Sequence, residues 1–321
     1  MLTQEQISAY NEDGYVKIEG LFTPDEVEEL GSEMIKIIGD WGEETIGWRG
    51  PWREKYLAED EQQATKAVLM HNPHFYSATW GHVMFNEKLV GCVQDLIGSS
   101  VQWHHTVLHA KPPERGTPFP MHQDYPFYPH DGLDFVDCLL HLDDTPLESG
   151  SLCVVPGSHK DGGLEHIMGP DTAPHLPTDV YHPDKVESIP IPAKAGDVIF
   201  FSYCTIHWSN VNRTDKWRRS VRFGYHDSAM RPVGRYEDKV ESIPIPAKAG
   251  DVIFFSYCTI HWSNVNRTDK WRRSVRFGYH DSAMRPVGRY EDDPYRIDPN
   301  NVLEGNTNTI VSGYKTNSEA N

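Results

Sequence analysis

The chain predicts an α+β fold that is mainly β: a double-stranded β-helix, or jelly roll, with helices packed on one sheet. Three observations lead there. Helical periodicity is confined to residues before 98, and strand-like alternation punctuated by Gly, Pro, Asn and Asp follows it. The last strand in this series separates its side chains into one apolar and one basic face. Helices first and antiparallel strands second build one sheet pair with helices on one outer surface.

The first helix starts at Thr3, whose hydroxyl can cap the backbone while Gln6 reaches back, with Ile7 and Tyr10 facing inward. A strand over 15–21 follows. Thr23-Pro24-Asp25-Glu26 combines a cap, a first-turn proline and acidic residues against the helix dipole, and opens a helix through Val27, Leu30, Met34 and Ile38. Residues 40–63 read as a long loop whose Trp41, Trp48 and Trp52 either plug a core edge or cover a site. Helical periodicity returns over 77–97, and strands are expected over 101–111, 135–142, 151–155, 197–203 and 217–225. In the last, Arg218, Ser220, Arg222 and Gly224 fall on one face and Trp217, Val221, Phe223 and Tyr225 on the other. The apolar face suits the underside of helices. The basic face then looks into the barrel, where a buried guanidinium needs an anion.

Residues 185–238 recur without a change as 239–292. Without one copy 267 residues remain, enough for a single core. The expected organisation is one functional domain over 1–238, a tandem duplicate over 239–292 and a polar tail over 293–321. The formal charge is −17, yet each copy holds nine Lys/Arg against six Asp/Glu, so the repeat is a basic island in an acidic body. Such a body disfavours nucleic acid and anionic membrane while a local basic patch still attracts a small dianion. Five cysteines without a C-x-x-C pair fit a reducing compartment. With no secretory pattern at the start and no apolar run of spanning length, a soluble, cytoplasmic protein is expected. Asn212-Arg213-Thr214 matches a glycosylation acceptor and is read as a turn.

The chemistry concentrates in His122 and Asp124 of PMHQDYP, His207 and Ser209 of CTIHWSN, and Arg218 eleven residues after His207. Two imidazoles and a carboxylate suit one face of an Fe(II) ion and leave positions for a chelating cosubstrate and dioxygen, and an arginine can grip that cosubstrate's far carboxylate. H-x-D alone is weak, because His141/Asp143, His159/Asp161 and His182/Asp184 share the spacing. The downstream half is more specific: His207 and Ser209 share a strand face, the chain turns at 212–216, and Arg218 returns beside them. His261, Ser263 and Arg272 are the duplicate counterparts. Connectivity and order of synthesis favour the first copy as the one that closes the barrel.

KPPERGTPFPMHQDYPFYP, LHLDDTPLESGSLCVVPGSHK and AGDVIFFSYCTIHWSNVNRTDKWRRSVRFGY, in this order, resemble the phytanoyl-CoA dioxygenase family, which includes the ectoine hydroxylases. The resemblance runs from the N-terminal helix to about Tyr225. It implies a jelly roll in which His122, Asp124 and His207 bind Fe(II) while Arg218 with Ser209 holds the distal carboxylate of 2-oxoglutarate. It further implies hydroxylation of a small organic substrate with dioxygen. Where ectoine hydroxylases place a glutamine against 2-oxoglutarate, this chain has His105, which shares a strand face with Val107, His109 and Lys111. Asp124 is a carboxylate, not the alanine or glycine of the halogenating relatives. The PGSHK block is assigned a structural role. The rival readings are a non-enzymatic jelly roll that binds a metal or small acid, an inactive duplicated relative, and a hydrolytic zinc site.

Overall fold

A computed structural model describes residues 2–169, 171–233, 248–250 and 252–253. The chain divides into two units, Met1–Val240 and Glu241–Asn321. Every element named below belongs to the first; in the second, Ala249 and Gly250 form a turn. His261, Ser263, Arg272 and the closing segments of the expected organisation lie outside the described residues.

The two N-terminal helices begin where their caps dictate. In α1 (Gln4–Asp13) the Thr3 hydroxyl accepts from the Gln6 N–H while the Gln6 side chain accepts from the Thr3 N–H, and Gly14 at φ 79° ends the helix. Thr23 and Glu26 make the same reciprocal pair at the start of α2 (Pro24–Trp41), which buries Val27, Leu30, Met34 and Ile37. Between them β1 (Tyr15–Ile18) stops short of the expected residue 21, because Gly20 turns the chain at φ 59°.

The 40–63 stretch holds two short helices, α3 (Arg53–Tyr56) and α4 (Glu61–Ala64), and leads to β2 (Val68–His71), a strand the alternation had not revealed. The single helix expected over 77–97 is two, α5 (Ala78–Val83) and α6 (Glu87–Ile97). The break has a local cause: the Asn86 side chain accepts from the N–H groups of Lys88 and Leu89 and so starts a new helix.

The remaining strands are β3 (Val101–Lys111), β4 (Phe119–His122), β5 (Phe135–His141), β6 (Leu152–Val154), β7 (Ile167–Gly169), β8 (Thr172–His175), β9 (Ile189–Ile191), β10 (Val198–Ser202), β11 (His207–Ser209) and β12 (Arg218–Asp227). A six-stranded sheet runs β1-β10-β5-β12-β3-β2 and a four-stranded sheet β4-β11-β6-β9, antiparallel throughout, with β7-β8 as a separate pair. This is the jelly roll with helices on one sheet.

Strand alternation decides what each face does. Val221, Phe223 and Tyr225 join Val136, Cys138, Leu140, Val198 and Phe200 beneath Leu30, Met34, Trp80, Leu89 and Val93 of the helices. Each fully buried Val or Phe there contributes about 1.5–3 kcal/mol. Trp217, expected on this face, lies just outside the strand and is exposed. Arg219 instead occupies the helix side and pairs with Asp143 at 2.6 Å. The opposite face packs Leu139, Ile199 and Phe201 against Leu152, Val154 and Ile191 of the smaller sheet, closing one end of the barrel interior. Among the described residues no helix is long and apolar enough to cross a membrane.

Candidate active site

β4 and β11 are antiparallel neighbours whose register sets His207 directly opposite His122. Their ring centroids lie 4.1 Å apart. Each imidazole is fixed through Nδ1 to a carbonyl two residues earlier in the chain, Pro120 O at 2.7 Å for His122 and Thr205 O at 2.9 Å for His207. An Nδ1–H donated in this way leaves the Nε2 lone pair of each ring free, which is the tautomer a metal ligand needs. Asp124 follows β4 and turns its carboxylate between them, with Oδ1 3.9 Å from His122 Nε2 and Oδ2 3.7 Å from His207 Nε2. The three potential ligand atoms lie within 4.8 Å of one another, the one such group found among the described residues, and all three residues are buried.

Two loops hold this geometry; the PGSHK turn is read from the sequence as structural, and the part played by Gln123 is not. Gln123, between the two upstream ligands, donates to the carbonyls of Gly162 and Cys204 and accepts from Leu164 N–H. Ser158 of the PGSHK turn accepts from Ile206 N–H, immediately before His207, and donates to Val155 O. The turn is therefore structural in the sense that it aims a ligand. The other three H-x-D pairs lie elsewhere: His141 bonds Thr145, Asp143 pairs with Arg219, His159 meets the Asn11 carbonyl, and His182 accepts from the Asp184 N–H, with the Asp184 carboxylate exposed.

The electrostatics fit a divalent cation. Burial, followed by the neighbouring His207, drives the His122 pKa well down, so its ring is neutral. Burial opposes charge on Asp124, but the Arg222 guanidinium outweighs it and holds the carboxyl below the usual range. No part of the Asp124 side chain is exposed; an Arg222 η-nitrogen pairs with Oδ1, and Oδ2 has no hydrogen-bond partner. A buried carboxylate beside two oriented imidazole nitrogens has the donor types that ferrous iron accepts.

Along the barrel, Arg218 on β12 is paired in register with Lys111 on β3. Both side chains are almost completely buried. Lys111 donates to Ser209 Oγ at 2.8 Å and to Asn210 O at 2.6 Å, and Arg218 donates to Ser220 Oγ at 3.1 Å with its Nε unpartnered. Neither cation has a carboxylate within ion-pair distance among the described residues. Burial pulls Arg218 down to about 10, and burial together with Arg218 drives Lys111 well below its ordinary value. Keeping both groups charged while buried costs folding free energy unless an anion joins them. Lys111 was on the recognised face but carried no expected role; only the β3–β12 register brings it to Arg218. The turn between β11 and β12 is pinned by Asn212, whose amide donates to the carbonyls of Lys111, Pro112 and Lys216.

His105 lies elsewhere. Its register partner is Gly224, six residues along β3 from Lys111, roughly 20 Å at strand rise. There its Nε2 is 3.4 Å from Asp137 Oδ1, and a Tyr128 hydroxyl donates to Asp137 Oδ2 at 3.0 Å. The site occupied by Gly224 is what admits the ring, because a Cβ on that residue would come within 2.3 Å of it. The register skips His104, a bulge that sets the His104 and His105 Nδ1 atoms 2.8 Å apart. His105 therefore lies apart from the Arg218–Lys111 pair, beside Asp137 and Tyr128.

The 40–63 segment spreads its three tryptophans over different surroundings. Trp52 is buried, whereas Trp48 packs edge-on against His122 with ring centroids 4.6 Å apart and also meets Phe119 and Phe127. Trp41 instead packs against Tyr76, with centroids 5.7 Å apart. Buried Arg53 ties the segment down by donating to the carbonyls of Ile46, Trp48 and Gln62 and to Thr65 and Thr117.

A model of the phytanoyl-CoA dioxygenase family matches residues 10–220 and 225–274. The chain is 28% identical over 256 residues to a probable alpha-ketoglutarate-dependent hypophosphite dioxygenase of Stutzerimonas stutzeri, covering 76% of this chain and 86% of that one. It is 27% identical over 246 residues to the ectoine dioxygenase of Bordetella bronchiseptica, covering 71% and 76%. The solved structure of SnoK, a non-heme alpha ketoglutarate dependent carbocyclase from nogalamycin biosynthesis, shares the fold at 22% identity and a TM-score of 0.60, over 74% of this chain and 89% of that one. The chain belongs to the phytanoyl-CoA dioxygenase family and is a 2-oxoglutarate-dependent dioxygenase.

Proposed function

We propose that this protein hydroxylates a small substrate at a site in which His122, Asp124 and His207 hold Fe(II) and Arg218, Lys111 and Ser209 hold the far carboxylate of 2-oxoglutarate. The observation that carries this reading is the presence in one barrel of an open, buried His/Asp/His set and a separate pair of buried cations that lacks an anion. When bound, iron and 2-oxoglutarate supply the oxidising power, with dioxygen consumed and succinate and carbon dioxide released.

The chain's own part is binding, orientation and exclusion of water. The Nδ1 hydrogen bonds of His122 and His207 fix the ring orientation, so ligand geometry is present before the metal arrives. Arg218 and Lys111 set the direction of the cosubstrate, since a dianion of fixed length gripped at one end has few ways to place the other. Trp48, Phe119 and Phe127 wall the ligand histidine from bulk water. The domain that does this is proposed to be residues 1–238, with 239–292 a tandem duplicate and 293–321 a polar tail.

The test is anaerobic addition of 2-oxoglutarate to the Fe(II)-loaded protein. A weak visible charge-transfer band and, after admission of air, succinate formation are expected. Retention of iron without the band would reduce the protein to a metal binder.

A further inference from the structure

Resting on the iron and 2-oxoglutarate reading, we propose that Arg222 anchors the substrate, and that the substrate class is a small molecule carrying an oxyanion group.

Arg222 shares the inward face of β12 with Arg218 but is opposite Val107, four register pairs along the strands from the Arg218–Lys111 pair. The two cationic seats are thus separate. Its guanidinium lies at the metal set, with an η-nitrogen on Asp124 Oδ1 and Nε 3.8 Å from Asp137 Oδ1, and Nε makes no hydrogen bond. The side chain is 13% exposed.

Neither carboxylate is a settled partner for it. Asp124 belongs to the metal set, and a divalent ion there claims the charge that Arg222 otherwise faces. Arg222 is then a cation beside a cation in a low-dielectric chamber. Asp137 does not replace Asp124: it is beyond hydrogen-bond distance, and its other oxygen already accepts from Tyr128. A planar guanidinium whose Nε is unpartnered and which lies beside the metal set is suited to receive an oxygen of an anion.

The surroundings limit size and polarity. His105 and His109 present Nε2 atoms without hydrogen-bond partners, and Trp48, Phe119 and Phe127 close one side. A few polar groups converging within aromatic walls describe a site for a small polar ligand, not for a long chain.

The test uses the full-length protein loaded anaerobically with Fe(II) and 2-oxoglutarate, whose charge-transfer band reports events beside the metal without turnover. Sodium hypophosphite, methylphosphonate and acetate are titrated as anions of different centres, against acetamide and tetramethylammonium as neutral and cationic controls. At least one anion is expected to perturb the band saturably while the controls do not, and the anion that responds identifies the oxyanion centre. In the Arg222→Gln protein that anion's dissociation constant should rise about tenfold or more, the loss expected of a charge-assisted hydrogen bond, with a smaller change for 2-oxoglutarate. The proposal is overturned by an equal response to acetamide, by unchanged anion affinity in Arg222→Gln, or by silence toward all three anions. It is equally overturned by bleaching of the band as anion is added, which marks displacement of 2-oxoglutarate, or by loss of the band in Arg222→Gln, which makes Arg222 a support for Asp124. Absence of the band in the parent protein is a different failure, because it removes the cosubstrate reading itself.

Discussion

His207 faces His122 across the β4–β11 pair, and each ring donates its Nδ1 proton to a carbonyl two residues back, so both Nε2 lone pairs converge on one point with Asp124. That point lies between residues 85 positions apart in the chain. The relationship makes the metal set testable one ligand at a time.

Replacing Asp124 or His122 by alanine should leave iron content after desalting at about a tenth of the parent's or less, since two donors cannot hold a borderline divalent ion as three do. Circular dichroism should show the fold retained. Parent-level 2-oxoglutarate consumption by Asp124→Ala would show that the metal is held elsewhere.

Arg218→Lys keeps the charge and removes the fork. The apparent Michaelis constant for 2-oxoglutarate should rise about tenfold to a hundredfold, with iron content unchanged, the loss of a charged hydrogen bond being about 1.5–3 kcal/mol. Lys111→Met should act on the same constant, because both cations address one carboxylate. A normal constant in both variants would leave the buried pair without a function.

The duplicate supplies a second histidine and arginine, and activity decides between the copies. His207→Ala is expected to be inactive and His261→Ala to retain turnover. The reverse pattern would move the site to the second copy, and loss only in the double variant would mean that the copies exchange.

Stability of the metal-free protein should fall as pH drops below about 6.5. Burial keeps His105, His109 and His141 neutral by driving their pKa values well down. In the unfolded chain these rings take up protons below about 6.5, so each favours unfolding by up to about 1.4 kcal/mol per pH unit in that range. Asp137 runs the other way: raised to about 8, it holds a proton in the folded state that the unfolded chain has lost, offsetting one histidine between its unfolded and folded values. Thermal melts at pH 7 and pH 5 should therefore show a clear drop at the lower pH, and a higher melting temperature at pH 5 would contradict the neutral rings.

Gly224→Ala should destabilise the protein by about 1–3 kcal/mol, the usual cost of overpacking, because the new methyl meets the His105 ring. Adding His105→Ala should recover most of that loss. Additive effects in a double-mutant cycle would show that the contact is not the cause.

How much of this was legible in the sequence depends on the range of the interaction. Thr3/Gln6 and Thr23/Glu26 announced their helices because a cap is satisfied within four residues. The missed break before α6 was equally local, but Asn86 looked like any polar surface residue until its side chain was seen on Lys88 and Leu89. The short strand β2 escaped because its four residues alternate too briefly to be told from a loop.

The residue types and strand alternation by themselves determined the chemistry: an H-x-D pair, a histidine and serine two apart, and an arginine eleven residues on, with period two turning Arg218, Ser220, Arg222 and Gly224 to one side. The sequence had already named His122/Asp124 among four H-x-D pairs; only the tertiary structure set Lys111 beside Arg218, separated His105 from that pair and brought Arg222 to Asp124. The physical reason is that backbone geometry fixes which face a side chain takes along its own strand, while the register between distant strands follows from packing both sheets and the helices at once.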